Sequence, residues 1–304
     1  MRMTAALPNF FVVGAPKAGT TSLCKYLEQH PQIFVSPIKE PCFFAPEVRD
    51  FSDETRRRAA EGAMVFDWDR YRRLFDGVRG ERAIGEGSVS YLSSPGAPGA
   101  IRERIPNARI IMMLRDPSDR LFSHYVGACA TGATTRGFVA WMAEQRAIEA
   151  GRRPAWGHIT PGWYASHLSR YLAVFPASQV CVLLYDDYVQ TPERVYRDVL
   201  KFLDVDSDFP LDALERHNVT LVPRWPRLGH RWIAPVRRTI RAVLPRGMTD
   251  RVHHALMKPR GIGPRADERD EVIALYESDI RELQRLIGRD LSAWLDARQS
   301  AATA

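Results

Sequence analysis

The sequence predicts an α/β fold with a central, mostly parallel sheet flanked by helices, and three observations carry that prediction. Short apolar runs suited to buried strands stand at Asn9 to Val13, Arg109 to Leu114 and Val180 to Tyr185. Each is followed by a segment with helical spacing. The first two also run into turn or capping residues, Gly14 with Pro16 and Asp116 with Pro117, as strands that feed helices do.

In chain order, the first strand enters the turn at Gly14 and Pro16. The helix after it can be capped by Thr20 or Thr21, carries Leu23, Tyr26 and Leu27 on one face, and is ended by His30 and Pro31. Arg82 to Gly85 reads as a short strand, Ala97 to Arg104 as a helix and Arg109 to Leu114 as a strong buried strand. Asp116 then caps, and Pro117 starts, a helix bearing Leu121, Phe122, Tyr125 and Val126. Helices are predicted over Phe138 to Ala150 and Pro161 to Phe175, then the third strand, then an amphipathic helix from Pro192 to Leu203 with Val195, Val199 and Phe202 in register. From Arg224 to Arg265 arginine is enriched and prolines divide short segments, before a long closing helix from Asp267 to Leu286.

This organisation predicts a single domain over residues 1–304, with a core of about 8–222, an Arg-rich helical lobe and closing helix of about 223–296, and a disordered tail beyond. Within the lobe, Trp232, Ile233, Val236, Ile240 and Val243 form an apolar stripe beside Arg231, Arg237, Arg238 and Arg241. Packing of that stripe on its own domain is the favoured reading, and peripheral membrane contact stays open. The chain's 45% hydrophobic content suffices for a substantial core, and its net charge of +7 favours anionic partners without choosing among nucleotides, nucleic acids, sulfated or phosphorylated substrates and acidic membranes. Cys24, Cys42, Cys129 and Cys181 are scattered, with no zinc spacing, which fits a reduced, cytoplasmic setting and predicts no metal. Met1 to Phe11 is too short for a signal peptide or a membrane span.

The loop Gly14-Ala15-Pro16-Lys17-Ala18-Gly19-Thr20-Thr21 has the glycine spacing of a nucleotide-triphosphatase phosphate loop, but Thr20 stands where that loop has its lysine. Backbone N–H groups from Gly19 to Thr21 at a helix N-terminus still suit a 5′-phosphate. No carboxylate directly ends a later strand to hold Mg²⁺, because Ile110 to Leu114 runs into Arg115 first. ATP hydrolysis therefore fits poorly.

Pro16 to Leu23, PKAGTTSL, resembles the 5′-phosphosulfate loop of sulfotransferases that use 3′-phosphoadenosine-5′-phosphosulfate (PAPS). A second segment, Arg115 to Tyr125, is similar to that family's 3′-phosphate segment, with Arg115 and Ser123 at the family's spacing. The resemblance extends through Lys39 to Phe44, Gly162 to Phe175, Val182 to Tyr188 and Leu291 to Trp294, and is nearest to the Golgi heparan-sulfate-type and bacterial branch. It implies a nucleotide-binding fold like that of the phosphate-loop enzymes, with PAPS held by Pro16, Lys17, Ala18, Gly19, Thr20, Thr21, Ser22, Arg115 and Ser123 and no metal required. Lys17 would offset charge on the departing bisphosphate, and the acceptor would be a hydroxylated small molecule or glycoside. The membrane anchor of the Golgi members is not visible, which favours a soluble bacterial-type enzyme.

The same resemblance puts the general base at Glu40, which Phe43 and Phe44 would partly desolvate, with Glu86 as its rival and His158 and His167 as further alternatives. Gly87 and Val89 replace a lysine and a proline that are common in the family, so a second site lysine is missing, and Lys39 is the conjectured substitute. Arg216, Asn218 and Arg224 are the candidates for a late loop that closes over the nucleotide. Trp141, Trp156, Trp163 and Tyr164 suit either an acceptor pocket or the core. The competing readings are a phosphate-loop kinase or other ATP-using enzyme and an anionic-polymer binding protein. Nucleic-acid signatures are absent, and the sequence is silent on oligomeric state.

Overall fold

Phe10–Gly14 is buried at every position, which an apolar run achieves only as an inner strand. It is β1 of a five-stranded sheet in the computed structural model, which describes residues 6–49, 53–150, 157–210, 221–223, 257–259 and 263–298. The other strands are β2 (Ile33–Val35), β3 (Ala83–Gly87), β4 (Arg109–Leu114) and β5 (Val180–Leu184), in the order β2-β3-β1-β4-β5. Every pairing in this sheet is parallel, so the expected mostly parallel sheet is wholly so. A separate antiparallel pair joins β6 (Leu221–Pro223) to β7 (Met257–Pro259).

The strand order locates the crevice. From β1 the chain moves out to β2, returns to β3 beside β1, and then crosses to β4 on the other flank of β1. Connections thus diverge between β1 and β4, and the space beyond their carboxyl ends is where open parallel sheets bind ligands.

Helices α1 (Thr20–Leu27), α5 (Ala97–Arg104), α6 (Pro117–Thr131), α7 (Phe138–Ala150) and α10 (Pro192–Leu203) follow the predicted segments. The Pro161 to Phe175 segment begins as a 3₁₀ turn at Thr160–Gly162 and becomes helical only over α8 (Tyr164–Leu172). Four short helices had no clear signal: α2 (Asp53–Ala60), α3 (Trp68–Arg73), α4 (Ser90–Ser93) and α9 (Tyr185–Gln190). Neither Thr20 nor Thr21 caps α1. Gly19 does so with φ 86°, and α1 stops at Leu27, short of His30 and Pro31.

The closing helix, α11 (Ala266–Ile287), buries Arg269, Val272, Tyr276, Asp279, Ile280 and Leu283, one stripe at helical spacing. Its buried polar residues act as struts. Arg269 pairs with Asp116 at 2.5 Å and Asp119 at 2.6 Å, while Asp279 accepts the N–H groups of Ala165 at 2.9 Å and Ser166 at 3.2 Å at the start of α8. No helix among the described residues is long and apolar enough to cross a membrane. Arg216, Asn218, Arg224, Trp156, the apolar stripe from Trp232 to Val243 and the tail from residue 299 lie outside the described residues.

Candidate active site

The loop after β1 is shaped by close approaches. A Cβ on Gly14 (φ 152°) would meet Leu92 Cβ at 2.7 Å, and one on Gly19 would meet the Tyr185 ring at 3.0 Å. Both positions therefore need glycine for space as well as for backbone angle. The loop is tied to β4 by Ala15 N–H, which donates to the Met113 carbonyl at 2.6 Å. Lys17 lies between them at φ 67°, a left-handed conformation that a side chain holds only when its surroundings determine it.

Arg115, at the carboxyl end of β4, supplies part of that determination. Its Nη1 donates to the Lys17 carbonyl at 3.2 Å, and its guanidinium lies 4.7 Å from the centre of the Tyr185 ring. Its own carbonyl accepts from Tyr164 Oη at 2.9 Å. Lys39 comes in from the other side, its Nζ donating to Thr21 Oγ1. Lys17 is exposed at the mouth of the crevice. Partial loss of water, then the charges of Arg115 and Lys39, hold its ammonium below the ordinary lysine range.

Among the described residues, none of these three cations pairs with a carboxylate. Asp116 and Asp119, near neighbours of Arg115 in the sequence, are taken by Arg269. Asp116 also caps α6 by accepting Ser118 N–H at 2.7 Å. Arg115 Nε is buried without a protein partner. Such a donor set fits a ligand with several anionic oxygens, as a phosphorylated nucleotide has. Thr20 and Ser22 are buried in the first turn of α1, and Ser123 is buried in the second turn of α6.

The two candidate glutamates have different surroundings. Glu40, at φ 56°, keeps an ion pair with Arg58 at 3.4 Å rather than with Lys39, and its side chain is 16% exposed. Glu86 is fully buried and accepts from Tyr91 Oη at 2.7 Å, Ser88 Oγ at 2.7 Å and Tyr71 Oη at 3.2 Å. Burial pushes its carboxyl up to about 7, against the pull of those three hydroxyls and with a small push from Glu40. The aromatic pair expected to desolvate Glu40 packs elsewhere: Phe43 stacks on Tyr71 at 4.6 Å, and Phe44 meets Tyr71 and Tyr91 edge-on. The apolar shell thus encloses Glu86.

His167 is committed to structure. Its Nε2 donates to the Thr160 carbonyl at 2.8 Å and its Nδ1 accepts from Arg170 at 2.6 Å, so no lone pair is left for a substrate proton. Burial, then Arg170, push it down to about 3. His158 Nδ1 lies 3.3 Å from His124 Nδ1, which also faces Arg120 Nη1 at 3.4 Å. The guanidinium can only donate, so His124 Nδ1 is the acceptor of both contacts and His158 Nδ1 carries the hydrogen. Trp141 and Tyr164 are buried in the core, and Trp163 packs against Tyr276 at 5.0 Å.

Sequence reasoning missed Tyr185, Arg58 and the hydroxyls around Glu86. Tyr185 had a signal, because it ends a predicted strand on the side where ligands bind. Arg58, Tyr71, Ser88 and Tyr91 had none, since each acts through a contact made only in the fold. The described residues hold no cluster of His, Cys, Asp and Glu suited to a metal.

A model of the Sulfotransferase family matches residues 8–209. Bifunctional heparan sulfate N-deacetylase/N-sulfotransferase 3 of Mus musculus is 32% identical over 215 residues, 67% of this chain and 23% of that protein. Carbohydrate sulfotransferase 15 of Homo sapiens is 26% identical over 247 residues, 66% of this chain and 44% of that protein. The chain thus spans about a quarter of the N-deacetylase/N-sulfotransferases it matches. The solved sulfotransferase of Alicyclobacillus acidocaldarius is 36% identical, superimposes with a TM-score of 0.72 and covers 95% of this chain and 99% of its own. On the family match, and on a likeness to that bacterial enzyme over nearly the whole of both chains, this protein belongs to the sulfotransferase family.

Proposed function

We propose that the protein moves a sulfuryl group from PAPS to a hydroxyl, with an amine as the lesser alternative, of a small-molecule or glycosidic acceptor. The observation that carries this reading is the gathering of Lys17, Arg115 and Lys39, without carboxylate partners among the described residues, around the loop between β1 and α1. Pro16 to Ser22 would cradle the 5′-phosphate, using backbone N–H groups and the start of α1. Arg115 and Ser123 would hold the 3′-phosphate. PAPS, when bound, supplies the sulfuryl group and a bisphosphate leaving group. Lys17 holds positive charge where negative charge grows on that leaving group. Glu40 takes the acceptor's proton; Arg58 engages its Oε2, which leaves Oε1 for that task. Lys39 on Thr21 supports its assignment as substitute for the missing second lysine. The four free cysteines support a cytoplasmic setting.

Two measurements test the reading. In thermal unfolding, 3′,5′-bisphosphoadenosine at a hundredfold excess over its Kd should stabilise the protein by about 2.7 kcal/mol, and ATP with Mg²⁺ should not. Labelled PAPS supplied with extracts of candidate metabolites should then yield a labelled product. Stabilisation by Mg²⁺-ATP alone would favour a kinase instead.

A further inference from the structure

Glu86 lies at the carboxyl end of β3 and reaches no solvent. Two of its three hydroxyl donors have a second partner. Ser88 Oγ, which donates to Glu86 Oε2, accepts the Cys42 N–H at 3.1 Å. Tyr91 Oη, which donates to Glu86 Oε1, accepts the Phe44 N–H at 3.3 Å. Each hydroxyl has one hydrogen, so donation to the carboxylate leaves its lone pairs facing those N–H groups. In its ionised form, above about pH 7, the carboxylate only accepts and so ends two chains, from backbone N–H to hydroxyl to Glu86.

Both chains begin in one turn. Glu40 and Cys42 have φ 56° and 57°, the left-handed region that residues with side chains occupy only under constraint. Glu40 N–H donates to the Gly87 carbonyl at 3.1 Å, next to Glu86 itself, and Cys42 Sγ contacts the Glu40 carbonyl at 3.2 Å. Phe43, Phe44, Tyr71 and Tyr91 close over Glu86 and leave no path for an acceptor to reach it. We infer that Glu86 is a positioning residue: through Ser88 and Tyr91 it holds the turn from Glu40 to Phe44 in its left-handed path and so presents the Glu40 carboxylate. This rests on the reading of Glu40 as the proton acceptor.

The test compares Glu86→Gln, Ser88→Ala, Ser88→Thr and Glu40→Gln in the full chain. An amide at position 86 turns one acceptor into a donor and leaves a hydroxyl hydrogen of one chain without its acceptor, whereas alanine at 88 deletes a chain. In both variants, hydrogen exchange should quicken in a peptide covering residues 39–45 and stay unchanged elsewhere. Turnover should fall by about tenfold to a hundredfold, as a small misplacement of a reacting group does, with the KM for PAPS and the bisphosphoadenosine shift unaltered. Ser88→Thr, which keeps the hydroxyl, should restore turnover. If Glu40→Gln is costly while Glu86→Gln and Ser88→Ala are silent, the positioning role is wrong and the base assignment stands. A silent Glu40→Gln defeats the base assignment and the positioning role together. Loss of donor affinity in step with turnover, with exchange raised throughout the molecule, would mark Glu86 as merely structural.

Discussion

Lys17 combines two features rarely found in one residue, a left-handed backbone and an ammonium crowded by two other cations. Neither stabilises the fold, and together they leave a positive charge on an exposed side chain of the loop. Its ammonium carries no structural ion pair among the described residues, so its loss should leave the fold intact. Lys17→Ala is expected to lower kcat by about a hundredfold or more, with unfolding free energy within about 0.5 kcal/mol of wild type. Steady-state kinetics with urea denaturation checks both halves, and unchanged turnover would remove Lys17 from the mechanism. Lys17 was legible because a loop motif is local: spacing, glycines and the following helix all lie within a few residues. Glu86 was legible only as a carboxylate near a strand end. Its three hydroxyl donors converge from α3, α4 and the residue just after β3, and no spacing announces that.

At the scale of elements, the strut from α11 to α6 sets the position of Arg115's neighbours. Arg269 is buried and satisfies Asp116 and Asp119 together, which frees Arg115 for Lys17 and a ligand. Arg269→Met leaves the buried Asp116 and the half-buried Asp119 without their cation and should cost about 3 kcal/mol in urea unfolding. A cost below about 1 kcal/mol would show that the pair is screened as a surface pair is. The inner strands β1 and β4 were readable because burial on both faces makes them continuous apolar runs. β5 was readable from its apolar run alone, since it is an edge strand with only Leu183 and Leu184 buried. β2 has only three residues, Ile33–Val35, too few to show a period. α2 and α3 are dominated by charge, and the fold rather than their own pattern stabilises them. The cap of α1 was misread because a threonine is the better cap in general, whereas here the Tyr185 ring and the backbone angle demand Gly19.

For the whole molecule, the buried ionisable groups set how stability varies with pH. Glu86 titrates near 4.5 when unfolded and at about 7 when folded. Between those values the native protein holds a proton that the unfolded chain has lost, so this group's contribution is complete below about 4.5 and is lost as pH rises to about 7. The loss amounts to about 3 kcal/mol. His167 works in the opposite sense. Its folded value of about 3 lies below its ordinary 6.5, so acid costs stability there. Because these trends overlap, the informative quantity is the stability of Glu86→Gln minus that of wild type. It should rise between about pH 4.5 and 7 and then level off, and a flat difference would show that Glu86 is ionised throughout that range.

The parts of the site are spread unevenly along the chain. The phosphate loop, both glutamates and Arg115 belong to its first half, yet the residues that brace α6 and α8 come from α11. While the chain is still being made, Asp116 and the first amides of α8 must wait for Arg269 and Asp279. We expect competence to bind the donor to be a late event in the life of each molecule, reached after α11 has left the ribosome and docked.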